Sequence, residues 1–208
     1  MKQKILLFFT VLVLVTLSAC NQGKNDGVAA TVYNYDILTE TINKNVENSK
    51  LVYETGIEQI NNLDASDDEK EKLKNKLSKP KTYDEVLNEK IEYYVLLHEA
   101  EKKKLDVDFE SCEAEAKRTF SELNSISEDD FENYQSFLMI KNYMKENNLS
   151  DKEYIDLLAK QYYENAKINA LKEYFKDELY VFSEIPFEQQ FENYTQKLIK
   201  KAKIVYYD

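Results

Sequence analysis

The chain has 208 residues and a formal net charge of −11, with 39 acidic against 28 basic side chains. That balance excludes nucleic acid as a partner, because such binding neutralises phosphates with clustered Lys and Arg. It also argues against docking on an anionic bilayer through a basic face. Three Gly, two Pro and an abundance of Glu, Lys, Leu and Asn predict a mostly α-helical fold.

Lys2 and Lys4 precede an apolar run over residues 5–17, interrupted by Thr10 and Thr16. A membrane-spanning helix needs about 20 such residues; a secretory h-region needs roughly 7–15 before small residues and a cleavage point. Leu17-Ser18-Ala19-Cys20 resembles a bacterial lipobox. The resemblance implies cleavage before Cys20 and lipidation of its thiol, which would then be the membrane anchor. The alternative is an ordinary signal peptide with a chance Cys after Ala19. The expected layout is a cleaved signal over residues 1–19, a flexible tether over 20–29 and a helical domain over 30–208. Location outside the cytoplasm, held to the membrane by the lipid, follows. Cys112 is then without a disulfide partner, so stability must come from ordinary packing.

Residues 30–35 (ATVYNY) predict a short strand. Asp36 is placed to cap a helix running to about Asn62, with Ile37, Leu38, Ile42 and Val46 on one stripe and an irregularity near Gly56. Ser66 with Glu69, Thr82 with Glu85, Ser127 with Asp130, and Ser150 with Glu153 match capping-box spacing. Asp108 opens another helix. Helical periodicity covers residues 83–104, 109–123 and 151–179. Ser183 to Pro186 breaks the chain before a last helix with Phe187, Phe191, Tyr194 and Leu198 inward. The β-prone tail Lys203-Ile204-Val205-Tyr206-Tyr207 then invites pairing with the first strand, since neither is stable alone.

Sixteen Tyr, ten Phe and no Trp form an unusual aromatic set. Over residues 128–146 the apolar positions, among them Phe131, Tyr134, Phe137, Met139 and Tyr143, fall around the whole helix circumference, where a surface helix shows one stripe. Such a helix is central to the core, exposes a patch for client chains, or is buried in a dimer. Tyr162 and Tyr163 add similar surface, Tyr having an apolar face and a polar tip. Catalytic sets are not apparent. The single His98 and Cys112 read as a core-edge histidine and a buried thiol. Acid runs such as Asp67-Asp68-Glu69 complement helix dipoles. The expectation is no enzyme, no metal and no cofactor.

Three stretches in order resemble the chaperone module of the SurA/PrsA family of exported foldases. The first covers residues 30–42, with Asn34-Tyr35 where members usually carry an Asn-Gly turn. The second runs from Val86 through Leu96-Leu97 and Glu99-Ala100 to Val107. The third is Leu198 through Tyr207. The resemblance implies a SurA N-terminal-like helical module, mostly α, with a small two-strand pairing of its N- and C-terminal segments. Relatives often insert a parvulin isomerase before the closing helix; here that place holds residues 181–187, against the roughly 50 a domain needs. The implied function is an ATP-independent holdase for unfolded or newly exported polypeptides, without isomerase activity. A lipoprotein adaptor docking one surface partner, or a homodimer, is the alternative.

Overall fold

The computed structural model describes residues 27–126, 137, 140–145, 147–180 and 184–207. Cys20, the signal and most of the tether, the Ser127–Asp130 cap, Phe131, Tyr134 and Met139 lie outside these residues. Among the described residues the fold is mostly helical, with a small antiparallel sheet that joins the N- and C-terminal segments.

The sheet has three strands instead of the expected two. β1 (Val28–Val32) turns back as β2 (Tyr35–Leu38), and β3 (Ile204–Tyr206) pairs with the free side of β1, giving the order β2-β1-β3. The segment expected as one strand is thus a hairpin. Its two-residue turn places Tyr33 at φ 55°, a left-handed conformation that costs an L-residue roughly 1–2 kcal/mol. Packing offsets that cost: the Tyr33 ring stacks on His98 at 3.7 Å, and its N–H donates to the Lys203 carbonyl at 2.9 Å. Asp36 does not cap a helix. It lies in β2, where its carboxylate accepts the Thr31 hydroxyl at 2.7 Å, and the helix begins at Thr39 after Leu38.

α1 (Thr39–Asn62) runs without a break through Gly56. The glycine is used for close approach: a Cβ there would lie 3.1 Å from a Leu77 methyl, which lets the chain after α2 (Asp67–Lys74) fold against α1. α3 (Tyr83–Lys102), α4 (Phe109–Asn124) and α5 (Asp151–Tyr174) begin where the cap residues predict. Thr82 and Ser150 close capping boxes with Glu85 and Glu153, and Asp108 accepts from the N–H groups of Glu110 and Ser111. α5 passes into a π-turn (Phe175–Leu179) closed by the Tyr180 N–H on the Phe175 carbonyl at 2.7 Å. α6 (Phe187–Lys201) then leads into β3.

Three clusters hold this frame. Ala30, Val32, Ile37 and Ile42 pack on Val86, Ile91, Tyr94, Val95 and Leu97 of α3, joining the hairpin to the helices. Ala116 and Phe120 of α4 meet Tyr154, Leu158 and Ala159 of α5. Leu96, Ala100 and Leu171 meet where α3, α5 and α6 converge.

Between α3 and α6 one contact is unfavourable. Burial, then the charges of Glu192 and Glu89, raise the Glu92 carboxyl above its ordinary range. A raised carboxyl stabilises the fold below the ordinary carboxylate pKa, and that contribution is lost as pH rises through the raised value. Glu92→Gln should therefore be more stable than the parent at pH 7 by a few tenths of a kcal/mol, about the scale of surface charge effects. Urea unfolding at pH 7 and near pH 4 checks this; the same advantage at both values would contradict it.

Candidate binding groove on the α4–α5 face

Helix α4 presents Phe109, Cys112, Ala116 and Phe120 at a spacing of three or four residues, so all lie on one stripe facing α5. The stripe is not uniformly buried. Ala116 and Phe120 are sealed against α5, and towards the start of α4 the side chains are less covered. There Ser111, Cys112, Glu115 and Tyr162 line an open groove of about 410 Å³. One turn before Cys112, Phe109 remains 46% exposed and meets the Tyr163 ring edge-on at 5.4 Å. Lys167 lies 4.7 Å above the Tyr163 ring, a cation–π contact on the groove's flank. The Tyr162 hydroxyl donates to Thr119 Oγ1 at 3.1 Å, which fixes that wall.

Cys112 was expected to be buried; it is half-buried and lines the groove. Ala116 and Phe120 belong to the buried α4–α5 cluster, whereas Cys112, one turn earlier, is only partly covered. Burial, then the Asp108 charge, raise the Cys112 thiol above its ordinary range, so it is a poor nucleophile near neutral pH. His98 has other neighbours, stacked on Tyr33 beside the sheet.

The sequence-predicted aromatic residues divide. Tyr162 and Tyr163 flank the groove. Tyr143 is half-buried in the same α4–α5 cluster and meets the Tyr154 ring at 6.5 Å, where burial pushes the Tyr154 phenol up to about 12. Phe137 lies 5.5 Å from Lys141 Nζ, which also covers Phe120 at 5.0 Å. Phe109 continues the spacing of Cys112, Ala116 and Phe120, and periodicity alone could not show that it is left exposed.

On the α3-facing side of α5 is a polar layer. The Tyr93 hydroxyl donates to Glu164 at 2.8 Å, and Lys90 lies 5.9 Å from the Tyr93 ring centroid. Burial dominates the lowering of the Lys90 ammonium pKa. One turn from Glu164, Gln161 is 8% exposed and its Oε1 has no hydrogen-bond partner among the described residues. A buried acceptor without a donor costs about 1–3 kcal/mol. Gln161→Met keeps the volume and removes the polar atom, so it should stabilise the chain by that order, read as a higher urea midpoint with an unchanged slope. A lower midpoint would contradict the cost assigned to that oxygen.

The described residues contain no helix long and apolar enough to cross a membrane. Compared with protein-family models, with curated proteins and with solved structures, the chain has no match in any of the three.

Proposed function

We propose that the chain is a lipid-anchored, extracytoplasmic holdase: a SurA/PrsA-like helical module without the parvulin domain, tethered through Cys20, that binds unfolded exported chains without ATP and without bond chemistry. The observation that carries this reading is the open α4–α5 groove with Tyr162 in its wall and exposed Phe109 resting on half-buried Tyr163 at its flank. Aromatic faces beside a polar rim suit weak contact with many apolar segments. Such binding lowers the concentration of free unfolded chain and slows its aggregation by mass action. The short link between the π-turn and α6 is consistent with a module lacking an inserted isomerase.

The full chain should suppress aggregation of several unrelated denatured proteins at near-stoichiometric ratio. Phe109→Ala combined with Tyr163→Ala should weaken that suppression about fivefold or more, the loss expected from removing two contact rings. Unchanged suppression by this variant would remove the groove from the reading. If the parent leaves aggregation untouched and retrieves a single partner, the chain is an adaptor instead. Cys20→Ser should release the protein from the membrane fraction; retention there would remove the lipid anchor.

A further inference from the structure

Among the described residues, the outer edge of strand β3 is unpaired. In its antiparallel ladder with β1 the register opposes Ala30 to Tyr206, Thr31 to Val205 and Val32 to Ile204. The Tyr33 N–H bonds to the Lys203 carbonyl and the Tyr207 N–H to the Ala29 carbonyl, at 2.9 and 3.0 Å. Hydrogen-bonded pairs alternate along such a ladder, so Lys203, Val205 and Tyr207 turn their main-chain groups towards β1. Ile204 and Tyr206 therefore turn theirs outward, and no hydrogen bond reaches those groups among the described residues.

The side chains agree. Directly opposed residues share a sheet face, so Tyr206 lies on the face of buried Ala30, yet it is 62% exposed. The apolar face of the sheet thus runs out from under the helices at this corner. In the last turns of α6 and the residues leading into β3 stand Lys197, Lys200, Lys201 and Lys203, all exposed and none in an ion pair among the described residues. In an acidic chain this is a concentration of free positive charge, and the helix α6 dipole engages the last turn alone.

We propose that the outer edge of β3 docks an extended, acid-bearing polypeptide segment, which joins the sheet as a fourth strand. Main-chain hydrogen bonds to Ile204 and Tyr206 supply recognition that does not depend on the segment's side chains, and Tyr206 supplies an apolar contact. The lysines select the charge. They also disfavour a second copy of this chain paired parallel at the same edge, because that would set the two lysine groups side by side; antiparallel self-pairing is an outcome of the test below. The proposal rests on the client-binding reading in taking the segment from an unfolded client, and it gives that reading a mode of recognition that needs an extended backbone and negative charge but no particular sequence motif.

The test uses the full chain, a strand-length peptide alternating Val and Glu, and its Val–Lys counterpart. Saturating Val–Glu peptide should slow amide exchange at Ile204 and Tyr206 about tenfold or more, with Val205 already protected by the β1 ladder. The Val–Lys peptide should bind more weakly, and Lys200→Glu with Lys203→Glu should reverse that order. Tyr206→Pro removes an outward donor and leaves the β1 ladder intact, so it should weaken Val–Glu binding about tenfold. Should that variant fail to fold, exchange in the parent decides. Binding that leaves both amides unprotected, equal affinity for both peptides, or protection of the same amides by self-association without peptide would each overturn the proposal. Aggregation suppression is read separately: its absence defeats the holdase reading, whereas exchange at β3 decides the edge.

Discussion

Phe175→Ala should destabilise the chain by about 3–5 kcal/mol, the range for truncating a buried Phe. Phe175 occupies the π-turn, is buried, and lies 5.9, 5.4 and 5.1 Å from the ring centroids of Phe187, Phe191 and Tyr194. These three rings are the inward face of α6, so Phe175 is the hub that fastens α6 to α5. Because α6 leads directly into β3, the loss should extend to the sheet. Amide exchange should speed up first in α6 and β3, while the α4–α5 seam stays protected. Tyr194, whose phenol is pushed up to about 12 by burial and then by Glu99, should titrate lower in the variant. A cost under about 1 kcal/mol would mean that the rings are mere surface neighbours.

Leu171→Ala should cost about 2–5 kcal/mol. Leu171 is fully buried where Leu96 and Ala100 of α3 meet Phe191 and Leu198 of α6. Ala at position 100 already brings the helix axes close, so the walls have little freedom to collapse into the cavity, which favours the upper half of the range. Against a total stability of roughly 5–15 kcal/mol, either variant consumes a large share. Leu171 and Phe175 stand one turn apart and both pack towards Phe191, so the double variant should cost less than the sum of the two. Urea unfolding of the four chains measures this coupling; strict additivity would show that the two sites relax independently.

Helix starts were the most legible part of the fold. Ser66, Thr82, Asp108 and Ser150 open helices as their side chains predict, because capping is a contact between residues two or three apart. Asp36 misled for the same local reason. Its carboxylate is as able to bond the Thr31 hydroxyl across a hairpin as to cap a helix, and the hairpin is chosen by burial of Ala30, Val32 and Ile37 under α3. Gly56 reads as a helix breaker when seen alone, and its use becomes visible once Leu77 is brought back against it.

The candidate surfaces were only partly legible. The aromatic excess pointed to Tyr162 and Tyr163, which do flank the groove. Phe109 did not stand out, since a residue on an apolar stripe is exposed or sealed according to how far the facing helix extends its contact.

Sequence alone determined the helical class, the positions of most caps and the return of the C-terminal tail to the N-terminal strand. These depend on propensity, on spacings of a few residues and on the need of short strands for partners. Tertiary packing decided the third strand, the π-turn with its aromatic hub, the groove beside the α4–α5 seam and, among the described residues, the unpaired edge of β3. Each of these depends on which distant surfaces meet and where their contact stops, and no periodicity along the chain carries that information.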